Sequence, residues 1–204
     1  MLAKLLPSKV RSGVSNEVAI FAALDAGDRA AALRAGLEAY GGELLSFLGA
    51  VHGSREEAAE VFARACADLV RAMSAFRRGS SFRTWMYAVA RNASRHHRED
   101  EKRHRHGALS DAPEIAALVH TTTEAFFKTD WKDKFRALRD SLEPDDRALL
   151  VLRVDRQMAW DEIAEVLDGE PSAKRAAALR KRFERIKRTL RERAIEAGLW
   201  TVEP

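Results

Sequence analysis

Lysine and arginine crowd one stretch near the C-terminus. Between Lys174 and Arg193 there are 10 basic and 2 acidic residues, a net charge of +8. In the same stretch Leu179, Phe183, Ile186 and Leu190 are spaced by 4, 3 and 4, the interval that places apolar side chains on one face of an α-helix. At about 100° per residue, Lys174, Ala177, Lys181, Glu184, Arg185 and Arg188 then point away from that face. Cations there can donate to guanine edges in a major groove, and Glu184 can accept from cytosine. Arg180, Arg182 and Lys187 fall on the flanks, where cations meet phosphates.

A second cationic block spans residues 77–105, with 9 basic and 3 acidic residues and a net charge of +6. The whole chain carries only +4, so the remainder stands at −10. Two basic blocks on an otherwise acidic chain are the footprint of two contacts with a polyanion. From Phe76 to Asn92, aromatics (Phe76, Phe82, Trp85), hydroxyls (Ser80, Ser81) and arginines (Arg77, Arg83, Arg91) are interleaved. Single-stranded nucleic acid is held in this way: cations follow the backbone, and aromatic or polar pockets receive unstacked bases. Phe82 and Trp85 can equally serve a core, because Trp85, Val89 and Ala90 lie near one helix face.

Other chemistries find less support. His96, His97, His104 and His106 have no cysteine beside them and sit in a charged segment, which reads as solvated rather than metal-binding. Glu56, Glu57 and Glu60 lie at the start of a helix, where acids complement the dipole. There is no glycine-rich phosphate loop and no nucleophile elbow. The reading is a non-enzyme without metal or cofactor. Cys66, the single cysteine, lies inside an apolar helical pattern as a core residue and has no disulfide partner, which suits a reducing cytoplasm. No apolar run approaches the roughly 18–20 residues that span a bilayer. The N-terminus is basic without an apolar core, so neither a signal peptide nor membrane insertion is expected.

The elements that must position these residues are helical throughout. Hydrophobic residues make up 46% of the chain and charged residues 32%, a globular composition. The 3.6-residue apolar period predicts an all-α protein of two small helical domains joined by a flexible linker. Asp28 to about His52 carries the stripe Ala32, Leu33, Leu37, Tyr40, Leu44, Leu45 and Leu48. Ser54, with Glu57 three residues on, predicts a capping box for a helix running to about Ala75. Its inward residues are Ala58, Val61, Phe62, Ala65, Leu69, Val70 and Met73. A loop over 76–81 precedes a helix from Phe82 to about Arg98. The period then fades through a linker at 104–128, with residues 1–17 a flexible N-terminus before the first domain, 18–103. Order resumes in 129–204, where Trp131, Phe135, Leu138 and Leu142 form a stripe. Helices over Asp145–Val154 and Trp160–Leu167 follow, then a long one from Ser172 to about Ala197. A short helix, a turn and a long helix is the helix-turn-helix order. That order favours duplex DNA over a membrane surface or a protein groove as the partner of the basic helix. A stand-alone helix-turn-helix regulator is the alternative reading, though it has no use for residues 76–92.

The run Arg78-Gly-Ser-Ser-Phe-Arg-Thr-Trp-Met-Tyr-Ala-Val-Ala-Arg-Asn92 resembles the promoter-opening segment of bacterial sigma factors of the extracytoplasmic-function (ECF) group of the sigma-70 family. Leu142-Glu-Pro-Asp-Asp-Arg147, Glu162-Ile-Ala-Glu-Val-Leu167 and Leu179-Arg-Lys-Arg-Phe-Glu-Arg185 resemble that group's second conserved domain, in the same order. The resemblance implies a sigma factor that binds core RNA polymerase and promoter DNA to direct transcription initiation. Residues 18–103 would hold the non-template strand of the -10 element, with the loop Phe76 to Phe82 receiving a flipped base and Asn92 and His96 touching its neighbours. Residues 129–204 would read the -35 element as duplex. The helix from Ser54 would dock on the β′ clamp helices through Glu57, Glu60, Val61 and Arg64, and the β flap is a further polymerase contact the resemblance implies. Where the family's docking helix usually has a Gln-Glu pair, this sequence has Ala63-Arg64, and about five extra residues lie within Asp168 to Arg175. An anti-sigma factor is a further partner the resemblance allows.

Overall fold

A computed structural model describes residues 8–101 and 136–198. Every regular element among them is helical: α1 (Ser8–Asp25), α2 (Arg29–His52), α3 (Arg55–Ala72) and α4 (Phe82–Glu101), then α5 (Arg136–Asp140), α6 (Pro144–Leu150), α7 (Trp160–Asp168) and α8 (Ala173–Glu196). None is long and apolar enough to cross a membrane. The linker at 104–128 and the apolar positions Trp131 and Phe135 lie outside the described residues.

Local chemistry sets these boundaries. The Asp28 carboxylate accepts the Ala31 amide at 2.8 Å and starts α2. Gly53, at φ 75°, closes it in the left-handed region that glycine adopts without strain. Ser54 Oγ accepts the Glu57 amide at 3.3 Å to start α3. All seven residues of the α2 stripe are buried. Six of the seven inward positions on α3 and its following turn are buried too, but Val70 is 37% exposed. That helix ends at Ala72 and tightens into a 3₁₀ turn over Met73–Ala75. The helix expected over Asp145–Val154 instead divides: α6 gives way to a π-helical turn over Val151–Asp155.

Two differences from the sequence reading matter for the site. Residues 8–17 of the supposed flexible N-terminus belong to α1, which packs along α2. The two halves also do not stand apart. Apolar side chains from α2, α4, α6 and α7 form one continuous buried cluster, and α4 packs directly on α7. Gly36 permits a close approach of α2 and α4. A Cβ there would clash with Phe82 Cε1 and stand 3.2 Å from Met86 Sδ.

Candidate nucleic-acid interface

On α8, Ala176, Leu179, Ile186 and Ala194 are buried, while Phe183 and Leu190 pack at the edge of the same core. The Phe183 ring meets Trp160 of α7 edge-on at 5.7 Å, which holds the long helix against the short one. Opposite that seam Lys174, Lys181, Glu184, Arg185 and Arg188 are all exposed, with Ala177 among them, while Arg180 is exposed on the flank with its guanidinium 5.7 Å from the Trp160 ring centroid. Glu184 is paired with Lys187 Nζ at 2.8 Å, so accepting from a base means exchanging that partner. Arg182 departs from the expected set. It is half-buried, and its Nε donates to Asp146 of α6 at 2.6 Å. Its guanidinium anchors α8 to its own domain. Gly169, at φ 81°, ends α7, and the turn to Ser172 sets the angle at which α8 leaves.

The loop 76–81 and α4 form the second basic surface. Phe76, Phe82 and Trp85 make a three-ring cluster with centroids 5.1–5.2 Å apart. Phe82 is fully buried in it, so this ring is core rather than an open receptor for a base. Trp85 and Phe76 are half-buried and offer edges to a ligand. Ser81 Oγ caps α4 by accepting the Thr84 amide at 3.0 Å, whereas Ser80 is half-buried and Arg77 exposed. Asn92 and His96 lie exposed along the outer face, where a strand can reach them.

Two arginines in the expected set serve the fold in this conformation. Arg83 is paired with Glu43 of α2 at 2.7 Å. Arg91 is 3% exposed and donates to Asp145 of α6 at 2.5 Å. Its Nε and Nη1 are buried without a hydrogen-bond partner among the described residues. Burial lowers the Arg91 pKa, with Asp145 opposing. Burial also resists ionisation of Asp145, but Arg91 and then Arg98, at 3.3 Å, outweigh it and hold the carboxyl below its ordinary range. A second acid binds α4 from α7: Glu162 accepts Thr84 Oγ1 at 3.0 Å while its other oxygen accepts the Ala159 amide at 2.7 Å. No signal in the sequence paired these acids with α4, since they lie 54 and 78 residues from their partners.

On α3, Glu60 is exposed and Glu57 and Arg64 are half-buried. Val61 is fully buried and belongs to the core, not to a docking face. Behind this helix His52 lies between Ser94, at 2.9 Å, and Glu57, at 3.3 Å, with the His97 ring edge-on at 5.7 Å. Burial first, then electrostatic repulsion from His97, Arg98, Arg147 and Arg91, lowers its pKa to about 4 despite the nearby carboxylate. Burial likewise pushes the Cys66 thiol up to about 12, which leaves it an inert core residue.

No curated protein matches the chain. Residues 37–104, which contain most of α2, all of α3 and α4, and the loop between them, match the family model described as Sigma-70 region 2. Over that segment, about a third of the chain, the protein is similar to the second conserved region of sigma-70 transcription initiation factors.

Proposed function

We propose that this protein is a sigma factor of the ECF group, which binds core RNA polymerase in the cytoplasm and directs it to promoters through two separate DNA contacts. The observation that carries the reading is the region 2 match over residues 37–104. The open cationic face of α8 supplies the second contact. Lys181, Arg185 and Arg188, with Lys174 and Arg180 toward its start, read the -35 duplex, and Glu184 adds a base acceptor. Asn92, His96 and the half-buried edges of Phe76 and Trp85 hold the opened -10 strand, with Arg77 and Ser80 beside it. The exposed side of α3 around Glu60 and Arg64 docks on the β′ clamp helices, and the C-terminal half on the β flap. An anti-sigma factor competing for these surfaces fits the same reading.

Core enzyme, purified protein and a promoter library test it. Selection followed by run-off transcription yields start sites set by paired -10 and -35 elements. Tight duplex binding with no core-dependent transcript would instead establish a stand-alone helix-turn-helix regulator.

A further inference from the structure

Helix α1 lies outside the matched residues 37–104, yet one face of it grips the loop at 76–82. Glu17, Phe21 and Asp25 recur at intervals of four, so they form a single stripe, and each meets a different part of that loop. The two oxygens of Glu17 accept the amides of Phe82 and Arg83 at 2.9 and 3.0 Å. These are the first two residues of α4, whose N–H groups have no acceptor within the helix. A carboxylate there also complements the helix dipole. Tyr40 of α2 donates to the same Glu17 at 3.1 Å and fixes the carboxylate from behind. One turn further, the Phe21 ring lies parallel to Phe76 with centroids 6.4 Å apart. A turn beyond that, Asp25 accepts from Arg78 at 2.7 Å, and the Arg78 guanidinium sits over the Phe21 ring at 5.4 Å. Arg78 has φ 58°, in the left-handed region that costs a non-glycine residue energy.

We infer that Glu17, Phe21 and Asp25 are positioning residues for strand capture, which hold the loop 76–82 and the start of α4 in the shape that receives an unstacked base. This rests on the proposed -10 role of that loop and adds α1 to the machinery. Glu17 carries most of the effect, because it neutralises two buried-end donors with one charged group. Asp25 carries least, since its ion pair is well exposed and exposed pairs contribute little.

Two readouts on the full chain test the inference. The first is amide hydrogen exchange, which needs no polymerase. Glu17→Ala is expected to speed exchange at Phe82 and Arg83 by about tenfold, with α2 and α3 unchanged and Glu17→Gln in between. Unaltered exchange there would overturn the capping. The second is promoter opening by reconstituted holoenzyme, read by permanganate reactivity beside core affinity and -35 duplex binding. Glu17→Ala is expected to slow opening by about five- to tenfold, with both affinities held within about twofold. Exchanging the charges, Asp25→Arg with Arg78→Asp, is expected to recover what Asp25→Arg alone loses. Faster exchange with undiminished opening would remove the positioning role, since the loop's shape would then not matter. A wild-type chain that opens no promoter with core enzyme would overturn the -10 reading and this inference with it, whereas the exchange result would still report on the contact itself.

Discussion

The two basic surfaces of this chain are presented in opposite ways. On α8 the cations stand exposed along a whole helix face and its apolar side is packed on α7. On α4 Asn92, Arg95 and His96 are open along the outer edge, while Arg91 and Thr84 are covered by Asp145 and Glu162 of the C-terminal half. Both acids lie in the first turn of their helices, where the dipole favours a negative charge. Carboxylates therefore occupy positions on α4 that a phosphate backbone could also fill. A duplex reader can be presented ready-made, because double-stranded DNA arrives in its final shape. A surface for unpaired strand is needed only after the duplex opens.

Acid is expected to produce the largest change in this arrangement. The His52 side chain is 2% exposed and keeps company with Arg91, Arg98 and Arg147, so protonating it adds charge beside the covered face. Its folded pKa lies below its ordinary value of 6.5, at about 4. The unfolded chain therefore takes up the proton first. Stability is fully present above pH 6.5 and falls as the pH drops toward 4, by at most roughly 3 kcal/mol. Urea titrations across that range check this, and His52→Gln flattens the dependence. An unchanged slope in that variant assigns the acid sensitivity elsewhere.

Removing the covering acid is next. Asp145→Ala leaves Arg91 enclosed with its acceptor gone, which costs about 2–3 kcal/mol. The figure is below that of a fully enclosed pair because the Asp145 side chain is 49% exposed. Fluorophores on α4 and α8 would move apart while far-UV circular dichroism holds; an unchanged distance and midpoint would show that the contact contributes nothing. Gly36→Ala presses on the Phe82 ring instead and costs about 1–3 kcal/mol by overpacking. A neutral midpoint there would mean the α2–α4 approach has slack. The open surface gives the smallest stability effect. Lys181→Ala or Arg185→Ala changes stability by less than about 0.5 kcal/mol, yet weakens -35 duplex binding by about tenfold and lowers its salt dependence. Core affinity should not move, and its loss would relocate the DNA face.

What the sequence disclosed follows from the range of the interactions. The α2 stripe, the Ser54 cap and the outward cations of α8 depend on neighbours within a turn or two, and all three were legible. Nothing near Arg91 in the sequence distinguishes it from a DNA contact, because its acid comes from α6. Phe82 could be core or receptor by periodicity alone; Gly36, 46 positions earlier, decides for core by making room for the ring. Val61 was placed both on the inward stripe and on the docking face, and burial settles it as core. Arg182 lies on the flank of α8 as its phase requires, but Asp146 claims it. Helix α1 leaves little trace in the sequence because the N-terminal residues show little apolar period, and Glu17 acts across 65 positions.

Permanganate and nuclease footprinting of one promoter, bound by holoenzyme with wild-type or Asn92→Ala protein, tests the division of labour most directly. Protection over the -35 element is expected in both, with thymine reactivity around -10 strongly reduced in the variant. Undiminished reactivity, or equal loss of protection and reactivity, would contradict it.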